Sequence, residues 1–247
     1  RPPLLLMDEP TGNLDRQRSE QIFDLVGAIH REQALTTVVV THDPDIAGRA
    51  QRVLGGSASY FSVAASFFAP VNLVGVVGQD FGEEQLAAFR GRPIDTKGLE
   101  RMEGKTFHWQ GRYSLDLNSR DTVCTDLNVF EFFKPKIPAS YRGSEVVFLG
   151  NIDPVLQREV LEQVEAPRLV ACDTMNFWIQ GKAEELRKTL ARTQILLVND
   201  SEARELSGEW NLVKAARAIR AMGPTIVVVK KGEHGVLMFD LSLIHIS

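Results

Sequence analysis

Cysteine is nearly missing from this 247-residue sequence, with Cys124 and Cys172 its only two. Two thiols without metal-ligand spacing exclude a disulfide framework, imply no zinc centre and suit a reducing cytosol. Long apolar runs are missing too. No stretch approaches the roughly 20 residues that span a bilayer, and the sequence opens Arg1-Pro2-Pro3-Leu4 without initiator Met or signal peptide. A soluble, cytoplasmic and incomplete chain is therefore expected. The third absence is a basic excess: 28 Lys+Arg face 32 Asp+Glu, for a net charge of -4. Composition thus supports neither nucleic acid nor an anionic membrane as partner, and anionic ligands would need local sites. What is present is ordinary, 44% hydrophobic and 24% charged residues, enough for one large or two small globular domains.

Leu4-Leu5-Leu6-Met7 is a continuous apolar run ending in Asp8-Glu9, the pattern of a strand buried on both faces with carboxylates at its ligand-binding tip. After the turn Pro10-Thr11-Gly12-Asn13 comes a helical stretch with Ile22, Val26 and Ile29 on one face. A second strand, Thr37 to Val40, then delivers Thr41-His42-Asp43, completing one βαβ unit. These residues resemble the Walker B, D-loop and H-loop of the ABC transporter ATPases, over residues 1 to about 53. The resemblance implies that Asp8 positions Mg²⁺, Glu9 orients or deprotonates the attacking water, Asp15 lies in the D-loop and His42 senses the γ-phosphate. It also implies a membrane permease as partner of that parent. The alternative reading of Asp8-Glu9 is a solvated acidic strand end. No phosphate-cradling G-x-x-x-x-G-K-[ST] loop precedes Asp8. Gly98 to Thr106 does not replace it, because five residues separate Gly98 from Gly104 and no apolar strand runs in. Leu206-Ser207-Gly208-Glu209 lacks the second Gly of an ABC signature and falls after Walker B. No ATP hydrolysis is expected from this part.

From Gly55-Gly56-Ser57-Ala58 the text changes without a linker. The glycine pair opens a helix running to Ala69, and glycine followed by a helix amino end suits an oxygen-rich substrate. The strand Val71 to Val77 and the turn Gly78-Gln79-Asp80-Phe81-Gly82 follow. This segment resembles the amino-terminal signature of the ribokinase-like sugar kinases, the PfkB family, although Ser59 and Tyr60 stand where many members carry a sugar-contacting Asn. The resemblance implies a parallel sheet wrapped by helices, a small antiparallel lid, and ATP with Mg²⁺ as cofactors. Residues 104–130 are rich in β-formers and are expected to be that lid, through which the parent could form a homodimer. Phe107 and Trp109 would pack in a core or dimer contact or stack on substrate, and His108 would be structural or exposed.

From Glu145 onward strands and helices alternate: strands near Val146–Leu149, Leu169–Cys172, Ile195–Val198 and Thr225–Val229, with helices near Pro154–Val164, Ala183–Leu190, Ser201–Leu206 and Leu212–Met222. A parallel sheet follows, with Asp173, Asn199, Lys230 and Gly232 at strand exits on one rim. Asn199 and Glu202 stand where a helix begins and read as a ligand site or a bare cap. The resemblance makes them the family's Asn-x-x-Glu motif, ordering Mg²⁺ indirectly and the ATP phosphates. By the same resemblance Lys230 counters phosphate charge, while Gly232 and Gly235 admit the nucleotide. The alternative for this loop is a basic hairpin turn before a strand Val236 to Phe239. Gly55, Gly56 and Ser57 would contact substrate, and Asp173 with Asn176 reads equally as site or turn.

The family's Gly-Ala-Gly-Asp-like segment, which carries its catalytic Asp, does not occur in the sequence, so no catalytic residue can be assigned in the kinase part. Three domains are expected: residues 1–54 an ABC ATPase fragment, 55–240 an incomplete PfkB-like kinase, and 241–247 a non-native tail or, alternatively, an apolar strand. An assembly or cloning artefact would explain the abrupt joint. The expected function is that of a carbohydrate or nucleoside kinase fragment, inactive as it stands. An ABC transporter ATPase or a noncatalytic sugar- or nucleotide-binding protein are the alternatives.

Overall fold

The computed structural model describes residues 4–8, 21–22, 24–29, 36–40, 54–113, 120–240 and 243–246. The chain divides into two compact units, Arg1–Gly55 with His108–Asp126, and Gly56–Phe107 with Leu127–Ser247. Among the described residues no helix is long and apolar enough to cross a membrane.

In the first unit β1 (Leu4–Asp8) pairs in parallel with β2 (Thr36–Val40), Leu4 beside Thr36 and Asp8 beside Val40. Parallel partners need a crossover, and residues 24–29 between them are helical. Val26 and Ile29 are half-buried there, as their spacing predicts, while Leu25 is exposed. The same unit holds an antiparallel hairpin of β5 (His108–Tyr113) and β6 (Arg120–Asp126), narrower than the expected sheet over 104–130. Its register shifts between Gln110 and Gly111, where the Trp109 ring lies so close that a Cβ on Gly111 would collide with it.

The second unit begins with α1 (Ser57–Ala65), which ends four residues short of the expected Ala69. Ser66 closes it by turning its Oγ onto the Val63 carbonyl, and Pro70 lies just beyond. Next, β3 (Val71–Val77) pairs in parallel with β4 (Ile94–Arg101), joined through α2 (Glu83–Leu86). The charged run Ile94-Asp95-Thr96-Lys97 disguises β4 in the sequence, because only part of the strand is covered. Gly98 sits inside it, where a Cβ would stand 2.7 Å from the Leu73 carbonyl oxygen. Its smallness serves strand packing, consistent with rejecting it as a phosphate-loop glycine.

The main sheet is mixed. β7 (Val146–Leu149), β8 (Leu169–Asp173), β9 (Ile195–Asn199) and β10 (Ile226–Lys230) are parallel and lie side by side in chain order. β11 (Val236–Phe239) adds antiparallel to β10. The crossovers are α3 (Pro154–Gln163), then α4 (Asn176–Gly181) and α5 (Ala183–Leu190), then α6 (Asp200–Ser207) and α7 (Leu212–Arg220). Because the strands follow one another in a single direction, right-handed crossovers carry these helices to one face. Burial agrees. Val170, Leu196, Val198, Val227 and Val229 alternate with less buried neighbours and join Leu161, Leu186 and Ile219 in one core. The short α4 had no counterpart in the sequence reading.

Leu243–Ile246 form β12, antiparallel to β11 from Val236 beside Ile246 to Phe239 beside Leu243, which is the strand alternative given above for this segment. Without it β11 would present an unpaired edge, and an apolar β-forming run close downstream is suited to pair with it.

Leu196 is fully buried in the centre of this sheet. Leu196→Ala is expected to destabilise the protein by about 2–5 kcal/mol, read as a lower urea midpoint by circular dichroism, whereas Leu25→Ala at an exposed position should leave the midpoint nearly unchanged.

Candidate functional site at the carboxyl edge of the sheet

Alternation decides which side chains meet. Residues 170, 172, 196, 198, 227 and 229 point into the helix-covered core, so Asp173, Asn199 and Lys230, the last residues of β8, β9 and β10, share the other face. Asn199 stands beside Lys230 in register. The Lys230 side chain reaches across β9, and its Nζ comes within 3.5 Å of Asp173 Oδ1. Burial pushes the Asp173 carboxyl above its ordinary value of 3.8, and the Lys230 ammonium pulls against that shift.

The same face is reached by α1. Phe61 stacks on Phe148 of β7 with ring centroids 3.8 Å apart and planes inclined by 4°. This sets the amino end of α1 at the β7 exit, where Asn151 N–H donates to Ser57 Oγ at 3.3 Å. A Cβ on Gly150 would stand 2.9 Å from that hydroxyl, so Gly150 is what lets the helix in. Gly56, with φ 92, occupies a backbone region that side chains avoid. Of the expected substrate residues, Ser57 and Gly56 therefore stand at the rim. Gly55 belongs to the other compact unit.

Asn199 and Glu202 form a complete capping box. Glu202 N–H donates to Asn199 Oδ1 and Asn199 N–H to Glu202 Oε2, each at 2.8 Å. Ser201 Oγ also donates to Asn199 Oδ1, at 2.7 Å. Glu202 is only 5% exposed, so the cap is buried against the strand exit. In the next loop Lys231 N–H donates to Gly235 O, His234 N–H to Lys231 O and Gly235 N–H to Gly232 O. These three amides are spent inside the turn, and Lys230 at the end of its strand adds an ammonium to this edge. Gly232 and Gly235 are needed for their φ of 56 and 76; a Cβ on Gly232 would meet nothing within 4 Å. Among the described residues it is the positive φ, not a close protein neighbour, that calls for glycine at 232.

Several rim residues escaped the sequence reading. Gln157 is 1% exposed, and its Nε2 donates to Gly150 O at 2.8 Å and Asp173 O at 3.0 Å, tying two strand exits together. Trp178 Nε1 donates to Asn151 Oδ1 at 3.0 Å. Thr174 is 3% exposed and its hydroxyl has no hydrogen-bond partner among the described residues. Asn176 instead turns to Glu205. The exit Gly150-Asn151 could have been found by applying to the first strand of the series the rule used for the later ones. A separate groove of about 380 Å³, lined among others by Lys97, Glu100 and Lys136, involves none of these residues.

Asp8 ends β1, but Glu9, Asp15 and His42 lie outside the described residues.

Comparison with known proteins places this geometry in context. The sequence model described as "pfkB family carbohydrate kinase" matches residues 25–245. The cytidine kinase of Thermococcus kodakarensis is 30% identical over 200 residues, covering 78% of this chain and 70% of that protein. An E. coli protein provisionally named Ribokinase II, solved in complex with ATP and Mg²⁺, superposes with a TM-score of 0.63 at 15% identity, covering 81% of this chain and 71% of that one. A different likeness is short. The lipoprotein-releasing system ATP-binding protein LolD of Bordetella avium is 50% identical over 54 residues, 22% of this chain and 24% of LolD.

Because Asp173 has a folded pKa above its unfolded one, its neutral form is the one the fold prefers. Its stabilising contribution is full below the unfolded pKa and is lost as pH rises through the folded pKa. Removing the opposing charge with Lys230→Met should raise the Asp173 pKa further, as followed by carboxyl-carbon NMR; an unchanged or lower value would mean that the two groups do not interact.

Proposed function

The chain belongs to the pfkB family of carbohydrate kinases, and on that premise we propose that its carboxyl-edge site binds MgATP and the hydroxyl-bearing substrate of a nucleoside or sugar kinase. The observation behind this reading is the convergence of Asp173, Asn199 and Lys230 on one face of the sheet, with Ser57 brought to the neighbouring strand exit by α1. Three polar strand exits at a parallel sheet's carboxyl edge make a ligand crevice in their own right. The likeness to a cytidine kinase favours a nucleoside over a free sugar.

The residues present fit the cofactor. Mg²⁺ takes oxygen ligands and keeps much of its water, and Asn199 with Glu202 offers oxygen donors already tied into the capping box. They would hold the ion through water, and the ion when bound would neutralise phosphate charge. Lys230 would bind a phosphate oxygen by a charge-assisted hydrogen bond. Gly56 and Ser57 would present backbone and hydroxyl to the substrate. Transfer to a substrate hydroxyl makes a phosphate ester and ADP, and the hydroxyl proton needs a base. The family's Gly-Ala-Gly-Asp-like segment is not in the sequence, so a polypeptide of these residues should bind without turning over.

For residues 1–53 we propose an origin in an ABC transporter ATPase. The 54-residue likeness to LolD and the parallel β1–β2 pair support that origin. The pfkB match beginning at residue 25 overlaps this segment and argues for a less sharp boundary than Gly55. Asp8, Glu9 and His42 would act on a nucleotide only together with a phosphate loop, and a permease would be a partner of the ABC parent only.

Titration calorimetry of the purified chain with MgATP is expected to give saturable binding that Lys230→Ala weakens about ten- to hundredfold. Cytidine, adenosine and ribose offered with MgATP should yield no phosphate ester. Absence of nucleotide binding would remove the site assignment, and robust phosphorylation would remove the claim that a base is lacking.

Long-read sequencing of source DNA should find the codons for Ile46 and Phe61 on separate molecules if the joint is artificial. Both on one molecule would make the fusion genuine.

A further inference from the structure

We propose that the open end of the β5–β6 hairpin is a binding site for a divalent transition-metal ion of the zinc class, held by His108, Cys124 and Asp126. The sequence gives no hint of it, since fifteen residues separate His108 from Cys124 and no metal-ligand spacing is present. Strand register creates it. His108 and Asp126 are direct cross-strand partners, and Cys124 lies two residues before Asp126, so all three side chains leave the same face.

Their ligand atoms all lie within 4.8 Å of one another, and His108 Nδ1 is 3.4 Å from Asp126 Oδ2. Zinc–ligand distances of about 2.0–2.3 Å at tetrahedral angles need ligand atoms roughly 3.3–3.6 Å apart. Small side-chain rotations close that gap. One imidazole, one thiol and one carboxylate form a mixed nitrogen, sulfur and oxygen set suited to a borderline-soft ion, and a hard cation such as Mg²⁺ would not choose the sulfur.

The three groups already interact. The Cys124 thiol hydrogen-bonds the Asp126 carboxylate, which also holds the thiol pKa above its ordinary value. An ion would take the place of that proton, so that one proton leaves as the sulfur–metal bond forms. The His108 and Asp126 side chains are 47% and 54% exposed, leaving water access for a fourth ligand. Ligation would join the first residue of β5 to the last of β6. A two-stranded hairpin is marginal in water by itself, so a cross-strand tie at its open end supplies a constraint that backbone hydrogen bonds alone do not.

Cobalt(II) provides the test, because thiolate ligation produces a near-ultraviolet charge-transfer absorption that histidine or carboxylate ligation does not. Cys172, the other cysteine, is fully buried with its pKa pushed up to about 12, so it serves as an internal control. Titrating Co²⁺ into the full chelator-treated chain should produce the band, and Zn²⁺ should bleach it by displacement. Cys124→Ser should abolish it, while His108→Gln and Asp126→Asn should each weaken Co²⁺ binding at least about tenfold. The proposal is overturned by absence of the band or by its survival in Cys124→Ser. It is equally overturned if only the cysteine variant has an effect, since that would mean a solitary thiolate binding metal. Circular dichroism on each variant separates loss of a ligand from loss of fold.

Discussion

Everything in the second unit depends on the parallel ladder of β7 to β10. Hydrogen bonding holds the four strands in step, so their carboxyl ends fall along one edge, and the pleat then sorts each strand's residues onto two faces. One face is claimed by the helices and filled with Val170, Leu196, Val198, Val227 and Val229. The strand-ending residues Asp173, Asn199 and Lys230 are left to the other face. A register slip of one residue on β9 would send Asn199 into the core side and separate it from Lys230. The site is therefore a consequence of how the sheet packs rather than an addition to it.

That origin explains its internal economy. Gln157, reaching up from the start of α3, occupies the Gly150 and Asp173 carbonyls, and Glu202 turns back onto Asn199. Buried polar groups must find partners, and here those partners also hold the rim in shape. Lys230 is shared. Asp173 engages it, so any anion drawn to Lys230 would compete with a partly buried carboxyl for the same ammonium. Because the neutral form of Asp173 is favoured by burial, that competition weakens as pH falls.

Legibility differed from element to element. β7 and α5 have the bounds expected from pattern alone, Val146–Leu149 and Ala183–Leu190, and β11 has those of the strand in the alternative reading of the preceding loop, Val236–Phe239. These are segments where apolar periodicity and burial coincide. β4 was invisible because Asp95, Lys97, Glu100 and Arg101 mask a strand whose pairing with β3 relies on Gly98. β12 is an apolar run whose pairing partner, the edge of β11, is a property of another strand and not of the run itself. For Asn199 and Glu202 the reciprocal hydrogen bonds establish the cap at the strand exit, which the sequence pattern could only offer as one of two readings.

By itself, the sequence determined the parallel α/β layout and the polar residues that would end its strands, while its motifs carried the resemblance to the family. Local pattern is enough for layout and rim, since period and strand-exit chemistry are written residue by residue. Only the tertiary structure decided that Lys230 crosses β9 to Asp173, that Ser57 meets Gly150 and Asn151, and that His108 faces Cys124 and Asp126. Such meetings depend on cross-strand register and helix placement. Those are set by burial summed over many distant residues, and no local window of sequence contains them.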